Sequence, residues 1–185
     1  MGSLLINNVF DALRKHLYDH IDRLQCFGKY EFQAEGWLKA ECVFVLDDLK
    51  NRKLICNVDR EIKSKGLKKI DLAIDLDDGR HWIELKHWFM GKQRGQLWRP
   101  IDFISGLESE CKKFTAVQAG SRAWVAVLCT TNPGSSAWST AIQKFNQEYS
   151  PWKLRSLDMP DSYPQCYFFG ILQVQGLMSN KKIRK

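Results

Sequence analysis

Asp71, Glu84 and Lys86 are the residues of this chain whose types and spacing suit metal-assisted hydrolysis. They lie within KKIDLAIDLDDGRHWIELKHW, from Lys68 to Trp88. From Lys69 to Asp75 the sequence alternates with the period of a strand. Ile70, Leu72 and Ile74 fall on one face, and Asp71, Ala73 and Asp75 on the other. Asp77-Asp78-Gly79-Arg80 is turn chemistry, and Asp-Gly is a strong hairpin signal. His81 to Trp88 then runs extended, with Trp82, Glu84, Lys86 and Trp88 on one side and Ile83 and Leu85 on the other. The hairpin can therefore set Asp71 beside Glu84 and Lys86. Two carboxylates and an ammonium on one sheet face are what a hard divalent ion and an attacking water require.

Asp71, twelve intervening residues and then Glu84-Leu85-Lys86 resembles the D-(x)n-E-x-K core of the PD-(D/E)XK nuclease superfamily, found in restriction endonucleases and junction resolvases. The resemblance spans Glu31 to Val127, and Ile70 stands where the name of the motif has proline. It implies a restriction-endonuclease-like core: an α/β fold of the α+β type, with a central mixed sheet of about four to five strands flanked by helices. It also implies a Mg²⁺-dependent endodeoxyribonuclease in which Mn²⁺ substitutes, with Asp71, Glu84 and the Leu85 carbonyl as metal ligands. In the superfamily the helix before the first strand commonly supplies one more acidic residue. Glu41 is preferred for that role, being nearer the strands in sequence, with Glu35 second; they flank the apolar stripe on opposite sides, so one of the two faces the site. Lys86 is expected to orient the water or stabilise developing charge. A role as base would need a depressed pKa, and neighbouring carboxylates push the other way.

The elements that must position these residues follow from periodicity. Ser3 to Leu24 reads as one amphipathic helix, with Leu5, Val9, Leu13, Leu17, Ile21 and Leu24 as its stripe and Gly28 as its end. His16 and His20 are one turn apart, a spacing that can bind metal; no third ligand is evident, and they read as surface histidines. Glu31 to Leu49 reads as a second helix, burying Leu38, Cys42, Val45 and Leu49, with Trp37 and Leu46 widening the face. Strands are expected at Leu54–Ile62, Lys68–Asp75 and His81–Trp88, a three-stranded meander. Glu61 is expected to pair with a lysine across the strands, and Trp82 to pack in the core. A helix at Ile101–Phe114, with Glu108, Glu110, Lys112 and Lys113 outward, precedes a buried strand at Ala123–Cys129. A further helix at Ala137–Tyr149 and a strand at Cys166–Val174 complete the order α-α-β-β-β-α-β-α-β.

The chain has 185 residues and a formal charge of +7, which suits a polyanionic partner. Length predicts a single domain over 1–180, with Lys181 to Lys185 as a basic tail. Lys65 and Lys68 before the central hairpin, and Lys92, Arg94 and Arg99 on the glycine-bearing FMGKQRGQLWRP loop after it, are the candidate nucleic-acid contacts. DNA is favoured over RNA, and cleavage of both strands would favour a homodimer. No apolar run approaches a membrane span and no signal-peptide order opens the chain, so a cytoplasmic protein is expected. Six cysteines without metal-finger spacing read as buried, reduced thiols. The competing expectation is a non-catalytic nucleic-acid-binding or protein-interaction module on the same fold, with Asp71, Glu84 and Lys86 as a cross-strand charge ladder.

Overall fold

The structure is a computed structural model and describes residues 6–30, 32–63, 69–88, 91–93, 96–98, 105–106, 109–110, 114, 122–129, 143, 147, 155–156 and 166–170. Its helices are α1 (Ile6–Tyr18), α2 (Ile21–Tyr30) and α3 (Glu35–Asn51). Its strands are β1 (Asn57–Ile62), β2 (Ile70–Leu76), β3 (Gly79–Trp88), β4 (Gly91–Gln93), β5 (Gln96–Trp98), β6 (Arg122–Cys129), β7 (Arg155–Ser156) and β8 (Cys166–Gly170). One mixed sheet has the order β1-β2-β3-β6-β8-β7, and β4 pairs with β5 in a separate hairpin. β1, β2 and β3 form the expected antiparallel meander, while β6 lies parallel to β3. A sheet of mixed direction with the described helices α1–α3 segregated ahead of its first strand makes this an α+β fold.

The expected N-terminal helix is two helices. Asp19 still donates to the Lys15 carbonyl at 2.9 Å, but His20 turns to the Leu17 carbonyl at 3.1 Å, and α2 restarts at Ile21. The stripe stays in phase across this break: Val9, Leu13, Leu17 and Leu24 are all buried. Gly28 lies inside α2 rather than at its end.

α3 buries Leu38, Cys42, Val45, Leu46 and Leu49, the face that the periodicity marks. Together with α1 it covers the sheet face made by Leu72, Ile74, Leu76, Ile83, Leu85, Trp124, Ala126 and Leu128. Phe10 meets Trp124 edge to face, with ring centroids 5.4 Å apart. The opposite parity, including Ala73, Trp82, Val125 and Val127, is buried as well. β2 and β6 are thus buried on both faces; the near-continuous apolar sequence of β6 requires it, whereas β2 buries Asp71 on its second face. Trp82 is buried with the Arg80 guanidinium 4.9 Å from its ring centroid.

The β2–β3 turn is a two-residue loop, Asp77-Asp78, closed by pairing of Leu76 with Gly79. Gly79 has φ +118°, a conformation that a side chain would strain. His81, fully buried at the start of β3, is held from both sides. Indole N–H groups only donate, so Trp124 Nε1 donates to His81 Nδ1 at 3.0 Å and the His81 Nε2 proton points to Asp78 at 2.8 Å. Burial pushes the His81 pKa down to about 4 against the opposing charge of Asp75.

Cys26 and Cys56 are exposed thiols, so only Cys42 of these three follows the buried reading. Their segments, the surface of α2 and the bend before β1, are not the apolar runs that bury cysteine. The expected helices over 101–114 and 137–149 and the tail at 181–185 lie largely or wholly outside the described residues. Among the described residues no helix is long and apolar enough to cross a membrane.

Candidate active site

Among the described residues the buried polar or charged ones are Asp71, His81, Glu84 and His87, all on β2 or β3. Buried carboxylates are costly unless compensated, so their surroundings carry information. The β2–β3 register pairs Leu72 with Ile83, and one step further along sets Asp71 opposite Glu84. There Asp71 Oδ2 accepts the Leu85 backbone N–H at 2.9 Å. Lys86, two residues beyond Glu84 and on the same face, brings its ammonium 3.2 Å from Glu84 Oε1. The sequence-predicted trio is therefore assembled at one end of the β2–β3 pair.

Two further elements complete the cluster. Glu35, in the first turn of α3, has Oε1 3.0 Å from Lys39 Nζ and 3.8 Å from Lys86 Nζ. Lys39 Nζ in turn lies 2.8 Å from Asp71 Oδ1, so one ammonium bridges the helix carboxylate and the strand carboxylate. Burial works against the Lys39 charge, but hydrogen bonds to Asp71 and Glu35 and their negative charges outweigh it and hold the ammonium above the usual lysine range. Glu110, expected to face outward, instead has Oε1 3.6 Å from Lys86 Nζ. Among the described residues, Glu35, Asp71, Glu84 and Glu110 thus gather around Lys39 and Lys86.

Glu41 is not part of this cluster. Its carboxylate meets His16 Nε2 at 2.6 Å and Arg23 Nη1 at 3.8 Å, on another flank of α3. The preference for Glu41 over Glu35 rested on distance along the chain. Yet α3 presents its N-terminal turn to the strand ends, so the residue farther away in sequence is nearer in space. His87 explains the placement. Facing the α3 side of the sheet, its Nδ1 accepts the backbone N–H of Ala34, the N-cap residue of α3, at 3.0 Å. No side chain of α3 caps that end, so a β3 side chain fixes the turn that carries Glu35. Burial pushes the His87 pKa down to about 4, which keeps this nitrogen an acceptor.

A cavity of about 440 Å³ opens beside Asp71, lined by Gly36, Lys39, Ala40, Val43, Arg60, Glu61 and Leu72 as well as Asp71 itself. At its edge the β1–β2 ladder is interrupted: Arg60 pairs with Leu72 and Ile62 with Ile70, and Glu61 between them has φ +52°. A glutamate in the left-handed region is strained, and strain of this kind gathers at functional sites. The Glu61 carboxylate pairs with Lys69 at 2.8 Å, as its strand position predicts.

No family model, curated protein or solved structure matches the chain.

Of the candidate nucleic-acid contacts, Lys65, Lys68, Arg94 and Arg99 lie outside the described residues, and Lys92 falls on β4. Sequence reasoning passed over Lys39, His87 as a positioning residue, and the inward course of Glu110. A signal existed for Lys39, because Glu35 and Lys39 stand at i,i+4 on a helix, the spacing of an ion pair. None existed for His87, whose partner is a backbone N–H 53 residues away.

Proposed function

We propose that the chain is a metal-dependent nuclease that hydrolyses phosphodiester bonds, DNA favoured, at Asp71, Glu84, Lys86 and Glu35. The observation that carries the reading is the convergence of these four on one end of the β2–β3 pair, two of them buried carboxylates. The donor set fits a hard divalent ion, because Asp71 and Glu84 offer only oxygen. The spacing resembles that of the PD-(D/E)XK superfamily, in which the restriction-endonuclease-like core and the Leu85 carbonyl ligand would follow. No nitrogen or sulfur ligand lies in the set, which favours Mg²⁺, with Mn²⁺ as substitute.

Asp71 and Glu84 would hold the ion, and Glu35 would reach it from α3 once Lys39 turns aside. When bound, the ion would lower the pKa of a water and polarise the scissile phosphate. Lys86, braced by Glu84 at 3.2 Å, presents an N–H donor to orient that water or to meet charge on the phosphate. The Lys86 ammonium lies within 3.8 Å of Glu35, Glu84 and Glu110, contacts that fix its position and suit a donor that orients water or phosphate. Lys39 and Arg60, which line the adjacent cavity, provide cations along the approach of a phosphate backbone.

The test is cleavage of a panel of duplex, single-stranded, nicked and branched DNA and of RNA with Mg²⁺, Mn²⁺ or EDTA. Asp71→Asn, Lys86→Ala, Glu35→Gln and Glu41→Gln run beside the parent. Metal-dependent cleavage lost in the first two, reduced in Glu35→Gln and kept in Glu41→Gln is expected. No cleavage of any substrate, with salt-sensitive binding kept in Asp71→Asn, would make the cluster a structural ion lattice on a binding module.

A further inference from the structure

We infer that His16, His20 and Glu41 form a second, nitrogen-bearing metal site, for Zn²⁺ or an ion of similar borderline character, joining the α1–α2 turn to α3. One ligand atom from each residue lies within 4.8 Å of the others, and all three side chains are half-buried. Two imidazoles and a carboxylate are a donor set for zinc, and a poor one for Mg²⁺. This is the third ligand that the His16–His20 spacing lacks in sequence: it comes from α3, 21 residues beyond His20.

The local hydrogen bonds prepare the site. His20 Nδ1 lies 2.9 Å from the His16 carbonyl, which can only accept, so Nδ1 carries the proton and the Nε2 lone pair of His20 is available. A ligating histidine typically donates its other N–H to a backbone carbonyl in this way. His16 Nε2 already lies 2.6 Å from Glu41 Oε2. The proton they share would leave to solvent as the ion takes its place between them. Tetrahedral bonds of about 2.0–2.1 Å hold ligand atoms about 3.3 Å apart. Glu41 and His16 would therefore part slightly, a movement that rotamers can supply. Arg23, 3.8 Å from Glu41 Oε1 and mostly exposed, is a competing cation that can swing into solvent. The edge of the site is aromatic: Phe44 lies 5.6 Å from the His16 ring and Trp37 6.3 Å from the His20 ring, centroid to centroid. An apolar rim of this kind lowers the polarity around the ligands.

Glu41 and Glu35 are six residues apart on α3, about 240° around its axis, so this site and the Asp71 cluster lie on different flanks. The two can be tested separately. The metal-stripped full chain is titrated with Co²⁺, read by its visible spectrum, and then with Zn²⁺ by calorimetry and thermal melting, without nucleic acid. In the Asp71→Asn chain, whose strand site is disabled, we expect one ion, and in the parent intense tetrahedral Co²⁺ bands that Zn²⁺ displaces and a higher melting temperature with Zn²⁺. Affinity should fall at least about tenfold in His20→Gln and in Glu41→Gln. It should be kept in Asp71→Asn and in a Cys26→Ser, Cys56→Ser double variant. A weak octahedral spectrum, unchanged affinity in His20→Gln and Glu41→Gln, or binding lost with the exposed thiols or with Asp71 would each overturn the inference. The parent spectrum decides the geometry even if one variant folds poorly.

Discussion

Mild acid should unfold this protein through two histidines before its carboxylates matter. His81 and His87 each titrate near 4 in the fold, because burial disfavours their charged forms, against 6.5 for the ordinary side chain. As pH falls below 6.5 the unfolded chain takes up protons that the folded chain refuses, so stability declines until the folded pKa is reached. Between about pH 7.5 and about pH 4.5 each histidine should remove about 2.5 kcal/mol, or about 5 kcal/mol together, a large part of a typical domain's stability. Asp59, through its hydrogen bond from Arg80, and Glu61, through its bond from Lys69, are held below their ordinary values. Their contributions are lost only as pH falls below the ordinary carboxylate range, so the interval above about pH 4.5 isolates the histidines. The assay is urea unfolding at half-unit pH steps, for the parent and for His87→Gln. Glutamine does not titrate and keeps an acceptor for the Ala34 N–H. Its stability should vary with pH by about 2.5 kcal/mol less than the parent's across that interval. Parallel curves would refute the reasoning, since His87 would then not be carrying a depressed pKa.

Other outcomes follow from the same contacts. Removing the Lys39 charge (Lys39→Met) should lower the Mg²⁺ concentration for half-maximal cleavage by up to about fivefold, the equivalent of a half-exposed ion pair, when the metal dependence of cleavage is titrated. Phe10→Ala, which removes a fully buried ring against Trp124, should cost about 3–5 kcal/mol in urea unfolding. Gly79→Ala forces a side chain into φ +118° and should cost about 1–2 kcal/mol in the same measurement, with β2–β3 pairing otherwise kept.

The meander was legible because alternation of apolar and polar residues gives the strand period and separates the two faces, although both faces of β2 prove buried. β2 and β3 fall within two residues of the expected spans, and the face shared by Asp71, Glu84 and Lys86 follows from parity alone. The helix break at Asp19-His20 was not legible. Apolar spacing records the buried stripe, and that stripe continues in phase from Leu17 to Leu24 across a change of hydrogen bonding. The choice between Glu35 and Glu41 was likewise beyond the sequence. Helical phase puts them on opposite sides of the stripe but does not say which side meets the strands. That is decided by the tertiary bond between His87 and Ala34. Glu110 shows the limit of reading outward positions from charge: its partner, Lys86, lies on a strand that periodicity alone cannot dock against it.

α3 works as a ruler. Its residues 35 and 41 are spaced about 9 Å along the axis, the first engaged with Lys39 and Lys86 and the second with His16. Inserting or deleting one residue between them would turn everything beyond it by about 100°. Either Glu35 would leave the strand ends or Glu41 would leave the α1–α2 turn, and no adjustment of α3 as a rigid body could restore both. Side chains on this segment can be exchanged one at a time, but its length cannot drift. Among related chains, gaps in alignment should therefore avoid these seven positions even where the identities of the residues vary.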